Sequence, residues 1–168
     1  ANRIAPDCEV ITPEMLPLVE LEAEHIERIV QSVSGGAANI QDIYPLSPLQ
    51  EGILFHHLLS EHSGDAYVGS MLLSVSSRDR LDALVAAFQA VINRHDMLRT
   101  AVLWEQLPRP VQVVQRAVTL PVEHLELDPH RAVEAQLQEW MQPGRQRLDI
   151  RQAPLMRLRV APDIKSEQ

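Results

Sequence analysis

Arg94-His95-Asp96-Met97-Leu98-Arg99-Thr100-Ala101-Val102 is the stretch from which the fold reads outward. Upstream of it, Leu81, Leu84, Val85, Phe88, Val91 and Ile92 recur at i, i+3, i+4, i+7, i+10 and i+11. That spacing predicts a helix over 78–95 with one apolar stripe facing a core. Downstream, residues 100–104 and 111–114 are β-rich and are separated by Pro108-Arg109-Pro110, which predicts a hairpin-like pair of strands. Helix therefore runs straight into strand across two arginines spaced five apart. An arginine there can meet the negative end of the helix dipole, and its fork can clamp a carboxylate with two hydrogen bonds. The same placement suits a solvated helix cap equally well.

Toward the N-terminus, Tyr44-Pro45 holds residues 42–46 extended, and Ser47-Pro48 supplies an N-cap and a first-turn proline for a helix reaching about residue 62. A domain is expected to begin near residue 40. Residues 1–39 carry Pro6, Pro13 and Pro17, then Ile26, Ile29, Val30 and Val33 at helical spacing, and stop at Ser34-Gly35-Gly36. They read as an inter-domain linker bearing one short amphipathic helix. After Ser63-Gly64-Asp65, the apolar alternation at Val68, Leu72 and Val75 predicts a strand over 67–76.

Toward the C-terminus, a strand broken by Pro121 is expected over 118–127. A helix from Pro129 follows, with Val133, Leu137, Trp140 and Met141 as its stripe and Pro143-Gly144 as its stop. A last strand contains Leu155, Leu158 and Val160. The order of elements argues for an α/β (α+β sandwich) fold with helices laid on a mixed sheet. Residues 163–168 form a charged, turn-like stretch with no closing element after it, so a truncated chain is expected.

Bulk composition narrows the function. Lys and Arg number 15 against 23 Asp and Glu, a formal charge of -8, and no basic block is present. A footprint for nucleic acid is missing. The apolar runs are far shorter than the roughly 20 residues that span a bilayer, and no basic-then-apolar signal peptide precedes them, so a cytoplasmic location without membrane contact is expected. The one cysteine, Cys8, allows no internal disulfide and, between Asp7 and Glu9, is expected to be chemically idle.

Two apparent sites look weaker than their residues suggest. His56-His57-Leu58-Leu59-Ser60-Glu61-His62 imitates a paired-histidine catalytic motif and offers metal ligands. Inside a helix, however, His57 and Glu61 share a face while His56 and His62 point elsewhere, so no three ligands converge, and a surface or packing role is expected. Ser47 and Ser60 lack the strained elbow of a nucleophile, and Gly35-Gly36 lacks the context of a phosphate cradle.

The stretch from Arg94 to Val102 resembles the Arg-His-Glu-x-Leu-Arg-Thr-x-Phe signature of condensation domains of nonribosomal peptide synthetases, with Asp96 for Glu and Val102 for Phe. Tyr44-Pro45-Leu46-Ser47-Pro48-Leu49-Gln50-Glu51-Gly52-Ile53-Leu54-Phe55-His56 is similar to the first core motif of that family, in the right order and at the right distance. Leu49 and Gly52 stand where the common form has Ala and Arg, and the Gln-Glu-Gly form is similar to the subgroup whose donor ends in a D-residue.

The resemblance covers residues 40–168 and implies the N-terminal lobe of a chloramphenicol-acetyltransferase-like fold, incomplete at its C-terminal end. It implies amide formation by aminolysis of a carrier-bound thioester, with positioning in a shared tunnel supplying much of the rate. The implied partners are upstream and downstream peptidyl carrier proteins, an adjacent adenylation domain and the absent C-terminal lobe, in a bacterial pathway of antibiotic type. No cofactor or metal is expected on this chain itself; phosphopantetheine arms arrive on the carriers. The family's His-His-x-x-x-Asp-Gly motif does not occur here, so no residue of this chain is expected to be catalytic. Arg94 and Arg99 are carried over as structural support near that site, and Ser47, Gln50 and His95 as motif residues. A carrier-docking module, or an epimerisation or acyltransferase domain of the same fold, are the alternatives.

Overall fold

The computed structural model describes residues 4–60, 64–65 and 67–162. The expected residues Glu61 and His62 and the 163–168 stretch lie outside the described residues. In chain order the elements are α1 (Ala23–Ser32), a single turn α2 (Gly36–Asn39), β1 (Ile40–Pro45), α3 (Pro48–Leu59), α4 (Arg78–Arg94), β2 (Thr100–Leu103), β3 (Val111–Gln115), β4 (Val122–His124), α5 (Val133–Trp140) and β5 (Leu158–Val160). The strands form an antiparallel sheet in the order β1-β3-β2 and a parallel pair β4-β5.

Period-two geometry gives the central strand β3 two working faces. Val111 and Val113 point into the main core with Ile40, Ile43 and Leu103. Gln112 points the other way and exchanges amide hydrogen bonds with Gln50 of α3 at 3.0 Å. The first face is covered by the segment before β1: Ile4, Ile11, Leu16, Val19, Leu21, Ile26, Ile29, Val33 and Ala37 are all buried in the same cluster.

α3 begins as the sequence predicts. The Ser47 hydroxyl accepts from the Gln50 backbone N–H and the Gln50 side chain accepts from the Ser47 N–H at 2.8 Å, a reciprocal capping box with Pro48 in the first turn. α4 occupies the predicted span, but its stripe is less covered than its pattern implies. Ile92 is buried, Leu81, Leu84, Val85 and Phe88 are half-buried, and Val91 is exposed.

Two expectations are corrected. Residues 67–76 form no strand: among the described residues no neighbouring strand bonds their backbone, and an unpaired strand leaves its N–H and C=O groups without a ladder. Apart from the half-buried Val68 their apolar side chains stay exposed, Met71 by 81%. The helix expected from Pro129 begins at Val133 instead, because Asp128 and His130 form a turn and the buried Gln136 side chain bonds the N–H and C=O of Asp128 and the C=O of Arg131.

Ile43→Ala is expected to lower the unfolding free energy by about 2 to 5 kcal/mol, and Met71→Ala by no more than about 0.5 kcal/mol. Urea titrations of both variants check the assignment of core and surface. Equal losses would contradict it.

Candidate functional site

The join that opens the sequence contains a short 3-10 turn, Asp96–Arg99, between α4 and β2, so the helix does not run directly into the strand. The turn aims the Arg99 side chain inward, where the residue is 5% exposed. Its Nη1 donates to the carbonyl of Gln115, to that of Arg116 at 3.1 Å and to Oε1 of Gln41 at 3.1 Å. Its Nη2 donates to Oδ1 of Asp96 at 2.5 Å, and Nε2 of Gln41 donates to Oδ2 of the same carboxylate at 2.8 Å. Arg99, Asp96 and Gln41 thus close a ring of hydrogen bonds joining the turn, β1 and the end of β3.

The clamp differs from a buried ion pair. The Asp96 side chain is 58% exposed, so little of the desolvation that makes a buried pair consequential applies to it. The buried acceptor is the Gln115 carbonyl at the end of β3, with the part-buried Arg116 carbonyl next to it. Thr100 adds a hydrogen bond from its hydroxyl to the Asp96 carbonyl at 2.8 Å, which fixes the turn against the first residue of β2.

The other residues of this stretch lie outside that network. Arg94 and His95 are exposed, and neither side chain bonds a described residue. Ser47 and Gln50 sit at the opposite end of β1, where they cap α3 and, through Gln112, tie it to β3. The structure therefore separates the expected site residues into a buried brace, an exposed helix end and a helix cap.

A second polar cluster was not legible in the sequence. His57 is buried, and its Nδ1 lies 2.6 Å from Oδ2 of Asp65. The other carboxylate oxygen accepts from the Tyr67 N–H at 2.9 Å. Arg147 approaches Nε2 of His57 at 3.4 Å and donates to the carbonyls of His57 at 3.2 Å and Ser60 at 2.9 Å, so a cation satisfies the C-terminal carbonyls of α3. Burial pushes the Asp65 carboxyl upward, but its hydrogen bonds to His57 and the Tyr67 N–H and the nearby charge of Arg147 outweigh that and hold it below the ordinary carboxylate value.

Gly64 makes this cluster possible. Its φ is +74°, and a Cβ there would lie 2.2 Å from the Pro143 carbonyl oxygen, so both backbone and space exclude a side chain. The next residue donates its N–H to the Gln146 carbonyl at 2.8 Å, which ties it to the segment that follows α5. His57 accordingly pairs with Asp65, eight residues on, while the expected same-face partner Glu61 lies outside the described residues. Both ring nitrogens face polar partners. His56 is exposed and packs edge-on against Phe55 with centroids 5.8 Å apart. Among the described residues no three His, Cys, Asp or Glu side chains group as metal ligands. The Cys8 thiol donates to the Val10 carbonyl at 3.1 Å.

A family model described as the condensation domain matches residues 40–163. The chain belongs to the condensation-domain family. It is 49% identical over 164 residues to malpinin synthetase of Mortierella alpina, covering 97% of this chain and 2% of that protein. It is 38% identical over 150 residues to one of the subunits of linear gramicidin synthase from Brevibacillus parabrevis, covering 87% of this chain and 2% of that protein. The crystal structure of holo T3CT shares the fold, with a TM-score of 0.56 at 15% identity over 90% of this chain and 34% of that one. The architecture is thus the mixed α/β lobe of the chloramphenicol-acetyltransferase-like fold. The chain spans about 2% of the length of these two synthetases.

Arg99→Ala is expected to leave buried carbonyls unsatisfied and to cost on the order of 3 kcal/mol, with Arg99→Lys recovering part because an ammonium lacks the planar fork. Thermal melts check this; an unchanged melting temperature together with lost activity in the parent protein would make Arg99 a contact to the reacting groups.

For the second cluster, His57→Ala is expected to destabilise by about 3 kcal/mol by stranding Asp65, while His56→Ala is silent. Since the folded state holds Asp65 below its unfolded value, its contribution is present above the unfolded carboxylate value near pH 4 and is lost as pH falls through the lower folded value. Asp65→Asn should remove that acid limb from a stability-against-pH profile, and an unaltered limb would contradict the assignment.

Proposed function

We propose that this chain is the N-terminal lobe of a condensation domain inside a nonribosomal peptide synthetase, working between an upstream and a downstream peptidyl carrier protein. The observation that carries the reading is the family match over residues 40–163, a span that includes the capped α3 and the Arg99 turn. In the proposed reaction the acceptor amine attacks the donor thioester carbonyl, the C–S bond breaks, an amide bond forms, and the amine proton ends on the departing phosphopantetheine thiol. The two arms and the adenylation domain belong to neighbouring parts of the assembly.

The lobe's own contribution is positional. A rigid sheet, fixed at one end by Arg99 and at the other by the α3 cap, holds one wall of the site where two thioesters meet, and such positioning converts a bimolecular step into a nearly unimolecular one. Arg94, on the exposed end of α4, and Arg99, behind it, are proposed to support that wall. Leu49, Phe55 and Leu59 of α3, Met71 and Leu73 of the following segment and Val91 of α4 are exposed apolar side chains. A second lobe supplied by the same synthetase is proposed to cover them. The relatives include a fungal and a bacterial synthetase, so the likeness assigns neither kingdom nor peptide product.

Split-domain complementation tests the reading. The chain mixed with the C-terminal remainder of its domain should form a complex that joins loaded carrier proteins, and the chain alone should stay at the uncatalysed background. Amide formation by the chain alone, or carrier binding without any association between the lobes, would overturn it in favour of a self-sufficient enzyme or a docking module.

A further inference from the structure

The family match begins at residue 40, yet nine of the fourteen buried residues in the main core cluster, among the described residues, precede it. A tether would leave those side chains in water. Here they cover the face of the sheet carrying Ile43, Val111 and Val113, the last two with no measurable exposure. α1 contributes Ile26 and Ile29 to that layer, and its start is closed by a reciprocal pair between Glu22 and His25.

Polar contacts fix the same segment at three separated points. Nη2 of Arg116, just past β3, donates to the Ile4 carbonyl at 2.7 Å. Nη1 of Arg28 on α1 donates at 3.0 Å to the carbonyl of Gln106, in the turn between β2 and β3, where Gln106 has a φ of +57°. Asn39 bonds both backbone groups of Ala117, accepting at 2.9 Å and donating at 3.1 Å. These contacts reach across 78 to 112 residues of sequence, a separation that a free linker has no reason to bridge.

We propose that residues 4–39 are a structural layer of the lobe, a strap that closes one face of the β1-β3-β2 sheet and pins Ile4 beside Arg116. The strap unfolds with the sheet and not before it. An upstream carrier joined through this segment is therefore attached at a fixed point on the lobe, and residues 4–39 add nothing to its reach.

Native-state hydrogen exchange on the unaltered chain tests the proposal without any variant, and separately from the catalytic reading, because it reads neither carriers nor activity. The amides of α1 should be protected to within tenfold of the β3 amides and should exchange with the same denaturant dependence. Protection of α1 more than tenfold below β3 would overturn the strap. In a second arm, Ile29→Ala should lower β3 protection by as large a factor as α1 protection, whereas a loss confined to α1 would show a segment that opens on its own. Val10→Ala, at an exposed position of the same segment, serves as the control that leaves both unchanged.

Discussion

A single buried guanidinium holds the end of the main sheet. β3 is the central strand, and at its far end the Gln115 carbonyl is buried and the Arg116 carbonyl part-buried. Arg99 meets the carbonyls of Gln115 and Arg116 and at the same time holds Gln41 of β1 and Asp96 of the turn. Unsatisfied buried carbonyls are costly, and few side chains could serve acceptors from three directions with one rigid fork. The turn Asp96–Arg99 exists to deliver that fork, and it sets where α4 ends and β2 begins.

The two ends of β1 are handled by different chemistry. At one, Gln41 joins the arginine ring; at the other, Pro45 leads into the Ser47 and Gln50 cap, and Gln50 reaches Gln112 on β3. Both motif stretches thereby converge on β3 from opposite directions. Their spacing in the sequence reflects one sheet, gripped at both ends, more directly than it reflects a set of reacting groups. The His57, Asp65 and Arg147 cluster does similar work at the end of α3, tying that helix to the segment that follows α5.

Legibility in the sequence follows the range of the interactions. The α3 cap involves residues three apart and α4 a periodic stripe, so both were readable, as was the β2 and β3 pair around Pro108 and Pro110. The motif resemblance located the family. Residues 67–76 have a strand's alternation without a strand's partner, and pattern alone cannot supply the partner. His57 meets Arg147 across 90 residues, and only Gly64 before Asp65 hinted at a return of the chain. The segment before β1 looked like a linker because Pro6, Pro13 and Pro17 punctuate its first half and only one short amphipathic helix follows, although its apolar side chains are spent on the core.

A double-mutant cycle between Arg99 and Asp96 reaches the central claim most directly. If Arg99 acts through the buried carbonyls, Arg99→Ala should cost nearly as much in the Asp96→Ala background as in the parent, with a coupling energy of about 1 kcal/mol or less for so exposed a carboxylate. A coupling that accounts for the whole loss would contradict the account, because the arginine would then be serving an ion pair and the carbonyls of β3 would not depend on it.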